Sequence, residues 1–248
     1  MSEAYNLKFT ISKPKLKKLL EFTSIDQELD TIWLKYSSDG IYQSQVDESF
    51  VIAVVSWFNN MFFTSYSASG NGELKIPSTL YKVVGKYFKE LDNIEFTVKE
   101  DNIILRGRDE VYEGQLLRVE LPNIGTDLIN REYGYIPADL KVMGVYGIDA
   151  EEWRLKADEV KITYGDTLKL TIMLEEGGKY TRGVKILDKR EIAGSGSVVV
   201  DGKILKTITE MFTGPIFLVI TEGPIILTQK SSDYTVSYII APRATEEV

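Results

Sequence analysis

Cysteine and histidine are both missing from the 248 residues of this chain. Without cysteine the chain has no disulfide framework and no thiol nucleophile. Without histidine it has no Ser-His-Asp triad, and structural zinc loses both of its usual ligand types. We therefore expect neither a cofactor nor a metal site. An enzyme built on this chain would have to use carboxylates, lysines, tyrosines or a hard metal ion.

Long apolar runs are missing as well. The longest, around 51–58, is far shorter than the roughly 20 residues that a membrane span needs. Residues 1–10 have neither the basic start nor the apolar stretch of a signal peptide. With 44% hydrophobic and 27% charged residues, the composition is that of a globular protein. These features predict an intracellular protein that does not associate with membranes.

Positive charge is in deficit: 29 Lys and Arg stand against 37 Asp and Glu, giving a formal net charge of −8. Taken alone, this balance argues against nucleic-acid binding, because such proteins are usually basic. The argument fails if the basic residues gather on one face of the molecule. The distribution of charge therefore matters more than its sum.

Short strands ended by turn signals dominate the chain, and Asp39-Gly40 between two apolar stretches is a strong hairpin signal. The pattern predicts about sixteen strands, mostly antiparallel because their connections are short. Four helices interrupt it, each directly after a strand. Their predicted ranges are 13–23, 77–91, 150–156 and 203–212. A strand–helix–strands unit thus occurs four times, which predicts an α+β fold of two similar domains with two units each.

The domain boundary is predicted within residues 121–138. This stretch holds two prolines and two glycines, shows no clean period, and is long for a connection inside a compact domain. We therefore expect an N-terminal domain over 1–121, a connecting loop over 122–137 and a C-terminal domain over 138–248.

Three of the four helices place lysines opposite their apolar face at about 100° per residue. On or beside those outward faces lie Lys15, Lys17, Lys18, Lys82, Lys86, Lys89, Lys203 and Lys206. One such face is ordinary solvation, but three on a chain of net charge −8 indicate a basic helical surface on an acidic body. Such a surface meets phosphates without reading sequence. The third helix is a poor candidate, because Trp153 and Leu155 fall on different sides.

Several short motifs resemble one family. Residues 238–243, Tyr-Ile-Ile-Ala-Pro-Arg, close the last strand before an acidic tail at Glu246-Glu247. Residues 39–51 hold an Asp-Gly turn, a strand and Val-Asp-Glu-Ser-Phe-Val. Ile136-Pro137 and Pro224 have counterparts too. Together they are similar to the proliferating-cell nuclear antigen (PCNA) sliding clamps, especially archaeal ones. Each motif is weak, but their order and spacing agree over nearly the whole chain.

The resemblance implies two tandem clamp domains with antiparallel sheets and two short helices each, and a ring of three subunits around duplex DNA. It implies a processivity factor and docking platform, loaded by a clamp loader and bound by DNA polymerase, flap nuclease and ligase through short peptide motifs. Its place would be the cytoplasm, at the nucleoid, or the nucleus of a eukaryotic cell. The lysines implied to face DNA are Lys17, Lys18, Lys82, Lys86, Lys89, Lys203 and Lys206.

By the same resemblance, partner peptides would enter a hydrophobic pocket beneath the connecting loop. Its implied lining is Val46, Phe50, Val51, Ile136, Pro137, Pro224, Ile239, Ala241 and Pro242. Ring closure would pair edge strands near 111–119 and 179–186. Two positions depart from the family pattern: Ile239 stands where many clamps have an aromatic residue, and Phe50 is unusually large for its place.

Two other functions are weighed against a clamp. An enzyme has little support, because Glu151 and Glu152 are neighbours that point in different directions on a helix. The glycine-rich segment 193–197 also lacks the lysine of a phosphate loop. A scaffold or a checkpoint-type heterotrimer subunit with little DNA affinity would share the fold and the pocket. The sequence leaves open whether a ring would be homomeric or heteromeric.

Overall fold

The structure is a computed structural model that describes residues 6–26, 28–122, 124–173 and 178–243. These residues form twenty strands, three α-helices and two short 3-10 helices. Within them, no helix has both the length and the apolar character that crossing a membrane requires. The acidic pair Glu246-Glu247 lies outside the described residues.

The elements up to residue 115 are given in chain order. They are β1 (Leu7–Ser12), α1 (Lys13–Ser24), β2 (Thr31–Ser37), β3 (Gly40–Val46), β4 (Ile52–Asn59), a 3-10 helix (Asn60–Phe62), β5 (Ser65–Ala68), β6 (Gly72–Pro77), α2 (Leu80–Tyr87), β7 (Asn93–Lys99), β8 (Asn102–Arg106) and β9 (Val111–Gln115).

The remaining elements follow from residue 128 onward. They are β10 (Leu128–Arg131), β11 (Gly134–Pro137), β12 (Val142–Asp149), a 3-10 helix (Ala150–Trp153), β13 (Glu159–Tyr164), β14 (Lys169–Met173), β15 (Lys179–Gly183), β16 (Asp188–Arg190), β17 (Gly196–Asp201), α3 (Gly202–Met211), β18 (Pro215–Thr221), β19 (Ile225–Lys230) and β20 (Tyr234–Ile240).

The described residues divide into two compact units. The first comprises those of 1–45, 54–123 and 231–235, and the second those of 46–53, 124–230 and 236–248. The predicted boundary at 122–137 stays a prediction, since this division follows contacts and not chain order alone. The hairpin β10–β11 belongs to the second unit.

The two units repeat the same strand orders. The first contains β5-β1-β7-β8-β9 and β4-β3-β2-β6, and the second contains β16-β12-β18-β19-β20 and β15-β14-β13-β17. Each helix follows the first or the sixth strand of its set, as the fourfold strand–helix–strands pattern predicts. The α+β fold of mostly antiparallel sheets in two like halves is thus confirmed.

The helices α1 and α3 bury the faces that their periodicity indicates. In α1, Leu16, Leu19 and Leu20 are buried. In α3, Ile208 and Met211 are buried as predicted, but Leu205 takes the fully buried place expected of Ile204, which stays partly exposed. The carboxylate of the N-cap residue Asp201 accepts hydrogen bonds from the amides of Lys203 (2.8 Å) and Ile204 (3.0 Å).

The prediction that the second helix runs to Leu91 is wrong. Helix α2 ends at Tyr87, the backbone of Phe88 is extended, and Leu91 is 97% exposed. The cause is local: the Asp92 carboxylate accepts a hydrogen bond from the amide of Lys89 at 2.8 Å, and such side-chain bonds compete with a helix. Phe88 leaves the helical path and is buried.

The third helix and the connecting loop also differ from expectation. The former is a 3-10 turn over Ala150–Trp153, shorter than the predicted 150–156, with Asp149 as its cap. The latter was expected without regular structure but contains the hairpin β10–β11, in which Ile129 pairs with Ile136. Strands of four residues are too short to show a clear alternation in sequence.

Candidate functional site

A cation closes the carboxyl end of one helix in each unit. In the first unit the buried Lys13 ammonium donates to the carbonyls of Gly85 (3.2 Å) and Phe88 (2.5 Å), at the end of α2. In the second unit the Arg154 guanidinium donates to the carbonyls of Thr209 (3.4 Å) and Phe212 (3.2 Å), at the end of α3. A positive charge there stabilises the helix end. These roles were missed in the sequence because the partners lie 55–75 residues away.

The lysines of α1 lie among aromatic rings of the first unit. The Lys17 ammonium is 5.2 Å from the ring centre of Tyr81. The Lys18 ammonium donates to the Tyr234 hydroxyl at 2.9 Å and lies 4.8 Å from the centre of that ring. Each of these cation–π contacts contributes about 0.5–1 kcal/mol at an exposed site. Both lysines remain partly exposed.

The two lysines of α2 are exposed to solvent. Lys82 and Lys86 are exposed on a helix whose other side buries Leu80 and Val84. The Lys86 ammonium lies 5.0 Å from the ring centre of Tyr87. Two charges therefore project side by side from one face of α2, as its periodicity indicates.

Lys89 does not belong to that helix face, contrary to the prediction. It follows the end of α2, and its ammonium pairs with the Asp109 carboxylate at 2.6 Å. The hydrogen bond to Asp109, with the charges of Asp109 and Glu110, holds the pKa of Lys89 above its ordinary value. Its charge is thus already balanced within the first unit.

The lysines of α3 are paired with acids of the second unit. The Lys203 ammonium is 3.1 Å from the Asp158 carboxylate, and Lys206 is 3.4 Å from Glu210 one helical turn away. Exposed pairs of this kind contribute little to stability and open easily. The two lysines can therefore exchange their carboxylates for phosphates at small cost.

The loop after β3 is held by a single carboxylate of the second unit. Asp47 accepts hydrogen bonds from the amides of Val51 and Ile52, both at 2.8 Å, and from the amide of Ser49 at 3.1 Å. Its carbonyl accepts the amide of Phe50 at 3.1 Å. Phe50 is left in the left-handed region at φ 58° with its ring 67% exposed. The loop therefore presents a large apolar side chain, of the kind that serves as an anchor in protein interfaces.

Replacing Asp47 with alanine is expected to lower the free energy of unfolding by about 1.5–3 kcal/mol, because amide hydrogen bonds to a carboxylate lose their acceptor. Urea denaturation measures the loss, and hydrogen exchange at the Val51 and Ile52 amides should accelerate. The matched control is Glu48→Ala, which removes an exposed carboxylate of the same loop. Equal exchange rates in both variants would contradict the role given to Asp47.

The C-terminal motif lies beside this loop in the second unit. The amide of Ala241 donates to the carbonyl of Val51 at 2.8 Å. Pro242 lines a cavity of about 670 Å³ together with Gly223, the neighbour of Pro224 in the β18–β19 turn. The two motifs that carry the family resemblance are thus brought together, and the turn that holds Pro224 lies beside them.

The other predicted pocket residues differ in accessibility. Ile136, Pro137 and Ile239 are buried, the first two in β11, which packs against β19. Partly exposed are Val46, Val51, Pro224 and Ala241, and exposed are Phe50 and Pro242. Of the nine predicted residues, Phe50 and Pro242 are thus the most accessible, and Ile136, Pro137 and Ile239 lie inside the second unit.

The tip of the hairpin β10–β11 is fastened to β16 within the second unit. The Tyr133 hydroxyl donates to the Glu191 carboxylate at 2.7 Å, and Arg190 pairs with Glu132 at 2.8 Å. Burial, followed by the contact with Glu191, raises the pKa of Tyr133 to about 12, so the hydroxyl remains a donor at neutral pH. The hairpin that carries Ile136 is therefore fixed at its tip.

Two strands end their sheets at the segments predicted for ring closure. Among the described residues, β9 pairs only with β8, and β15 pairs only with β14. Exposed apolar side chains accompany both: Val111 on β9 and Tyr180 on β15. Open strand edges of this kind are templates for pairing with another chain.

The residues that the structure describes include no cluster of side chains suited to bind a metal ion. Within 6–26, 28–122, 124–173 and 178–243, no three carboxylates come together in a way that could hold an ion. The candidate functional sites are the lysines on α1 and α2 in the first unit, the lysines on α3 in the second unit, and the Phe50–Pro242 surface of the second unit.

Comparison with known proteins shows the fold. No protein-family model matches the chain, and no curated protein matches it. Solved structures do match: PCNA of A. fulgidus with the C-terminal region of FEN-1 bound, at TM-score 0.79 and 14% identity, covers 97% of this chain and 100% of that one. PCNA from Entamoeba histolytica reaches 0.80 at 16% identity, with the same coverage. PCNA from Thermococcus kodakaraensis reaches 0.79 at 16%, covering 96% and 100%. The chain has the sliding-clamp fold of PCNA.

Proposed function

We propose that this chain is one subunit of a DNA sliding clamp. Three subunits, either identical or paralogous, form a ring around duplex DNA with Lys17, Lys18, Lys82, Lys86, Lys203 and Lys206 toward the phosphates. The ring acts without catalysis, as a processivity factor and as a platform for polymerase, flap nuclease and ligase. A clamp loader opens it.

The observation that carries this proposal is the likeness to PCNA structures over 96–97% of the chain and the whole of each neighbour. Fold alone does not imply function. Three features of this chain add support: exposed lysines on α2, the open edges of β9 and β15, and an apolar ring held out by the Asp47 loop. Each corresponds to one requirement of a clamp, namely DNA contact, ring closure and partner docking.

The test is topological retention on DNA. The protein is allowed to thread at high concentration onto one of two linear duplexes, which carry biotin at both ends or at one end only. Streptavidin then blocks both ends, or one end only, before a wash at high salt. A closed ring resists the wash only when both ends are blocked, because salt screens the lysine contacts but does not cut the ring. Equal loss from both DNAs would refute encirclement.

Partner docking is expected at the Phe50–Pro242 surface. The neighbour from A. fulgidus holds the C-terminal region of FEN-1, and we propose that this chain takes short peptides of the same kind, with apolar and aromatic anchors on a helical turn. Changing Phe50 to alanine should weaken such a peptide at least about tenfold, as truncating an interface anchor does. Calorimetric titration measures the affinity.

The matched control for that titration is Met61→Ala in the first unit, since Met61 is 68% exposed and Phe50 67%. The control variant should bind the peptide like the unchanged protein. Unchanged affinity in the Phe50 variant would place the docking surface elsewhere.

A second function is favoured by the pairing of the lysines. Lys89, Lys203 and Lys206 have acidic partners, and Lys18 has a tyrosine hydroxyl. A clamp-fold scaffold or checkpoint-type heterotrimer subunit with little DNA affinity would show this balance. It would bind partner peptides but would fail the retention test on end-blocked DNA, which separates the two functions.

A further inference from the structure

The sheet β4-β3-β2-β6 of the first unit has one face rich in aromatic and basic side chains. Along β2, Ile32 and Leu34 are buried, while Trp33 and Lys35 point to the other side and are partly exposed. Opposite Trp33 on β6 stands Lys75, and opposite Lys35 on β3 stands Tyr42. Trp57 of β4 is also partly exposed. We define this aromatic face by Trp33, Lys35, Tyr42, Trp57 and Lys75.

The composition of this face is unusual for a solvated sheet surface. The chain has three tryptophans, and Trp153 is fully buried. The other two both lie on the aromatic face. A solvated face of an antiparallel sheet normally carries polar side chains. The two tryptophans and the tyrosine on this face are only partly covered by the first unit, so their rings are available to a ligand.

The lysines of the face are placed over an aromatic ring. The Lys35 and Lys75 ammonium groups lie 4.9 Å and 5.0 Å from the ring centre of Trp33. The Trp33 indole N–H donates to the Glu73 carboxylate at 3.0 Å, and this bond fixes the orientation of the ring. Exposed cation–π contacts contribute only about 0.5–1 kcal/mol each. The Lys75 ammonium also donates to the Val119 carbonyl at 2.7 Å.

Next to Trp33 the face opens into a cavity of about 440 Å³. Its lining includes the aromatic side chains of Tyr42 and Trp57 and the charged residues Lys35 and Glu73. The Gly40 and Gly72 backbones, the latter beside the Tyr36 side chain, complete the lining. The volume is within the range of small-molecule sites, which are mostly apolar with few polar groups. Flat rings can therefore lie against Tyr42 and Trp57 with an anion near Lys35.

We infer that the aromatic face binds single-stranded nucleic acid. Unpaired bases stack on Tyr42 and Trp57, and the phosphates between them take up Lys35 and Lys75 as the ammonium groups leave Trp33. Aromatic rings interleaved with lysines are the chemistry of sequence-tolerant single-strand binding, because every base has a π-face. Charge complementarity supports this occupant: Lys35 and Lys75 bring two positive charges to the face, on a chain whose net charge is −8.

This site is separate from the lysine-bearing helices of the proposed function. Its residues lie on β2, β3, β4 and β6, whereas the duplex would meet α1, α2 and α3. Single-strand binding therefore does not depend on encirclement of a duplex. Failure of one can be told apart from failure of the other.

The experiment titrates the protein with a fluorescein-labelled oligothymidylate of about 12 nucleotides, within the site sizes of single-strand binders. Anisotropy reports binding, and quenching of tryptophan emission reports stacking. Changing Tyr42 and Trp57 together to leucine should weaken binding at least about tenfold, because each stacked base is lost. Met61→Ala, which removes an exposed apolar side chain outside the face, should leave the affinity unchanged.

A second variant keeps the test valid if the first does not fold. Lys35→Glu with Lys75→Glu alters only partly exposed groups and should abolish binding at moderate salt. Binding lost in Lys82→Glu with Lys86→Glu, yet kept in the aromatic-face variants, would overturn the inference in favour of the helices. Absence of any oligothymidylate binding, or binding without tryptophan quenching, would overturn it as well.

Discussion

Lys82→Glu combined with Lys86→Glu is expected to abolish retention of the protein on end-blocked duplex DNA. Both side chains are exposed on α2, where the Lys86 ammonium lies over the ring of Tyr87. Each lost phosphate contact lowers the salt slope of binding by about 0.9, and a ring of three loses two per subunit. Threading depends on that attraction, so we expect the amount threaded to fall at least about a hundredfold.

The control for this variant must carry the same change of charge. Lys161→Glu with Lys169→Glu provides it, because both lysines are exposed on β13 and β14 and belong to no helix. The control should thread and be retained like the unchanged protein. If both pairs reduce threading equally, the effect comes from net charge alone, and α2 has no special part in meeting DNA.

The fold could be predicted from sequence where local rules decide it. The 3.6-residue period of Leu16, Leu19 and Leu20 predicts α1, and Asp201 before an apolar run predicts the start of α3. The Asp39-Gly40 turn joins β2 to β3 as expected. The repeat of strand, helix and strands indicates two like halves, which the identical strand orders of the units bear out.

The errors occur where a single side chain overrides the local pattern. The apolar period of the second helix continues to Leu91, but one hydrogen bond from the Lys89 amide to Asp92 ends α2 earlier. That bond also removes Lys89 from the helix face. In the connecting segment, four-residue strands leave no readable period, so the β10–β11 hairpin was missed.

The candidate sites were predictable only in part, because they depend on contacts between distant residues. Periodicity indicated that Lys203 and Lys206 point outward, but it gave no sign of the Asp158 and Glu210 carboxylates beside them. The bond between Ala241 and Val51 joins residues that no local pattern connects. The resemblance to PCNA named both segments, and the structure added the hydrogen bonds by which Asp47 holds the loop that carries Phe50.

Thr181→Pro is expected to prevent ring formation while leaving the subunit folded. The amide of Val184 donates to Leu168 at 2.9 Å, so Val184 directs its backbone groups toward β14. In an antiparallel pair, the residues of one strand direct their backbone N–H and C=O groups alternately toward the partner strand and away from it. The backbone groups of Arg182 therefore also point toward β14, whereas the backbone amide of Thr181 points to the open edge of β15. Proline at that position removes an outward donor and none of the bonds within the sheet, a place where edge strands tolerate it.

Light scattering distinguishes the outcomes. The unchanged chain, alone or mixed with related subunits, should give three times the 28.1 kDa mass of one chain, and the Thr181→Pro variant should remain at one. Thr181→Val is the matched control: it removes the side-chain contact with the Thr171 hydroxyl at 2.9 Å but keeps the amide donor, so its ring should persist. A ring of three in the proline variant, with unchanged circular dichroism, would mean that β15 does not close it. The subunits would then join through another edge. If the ring still forms without the outward amide of residue 181, that amide donates no hydrogen bond to a strand of the neighbouring subunit.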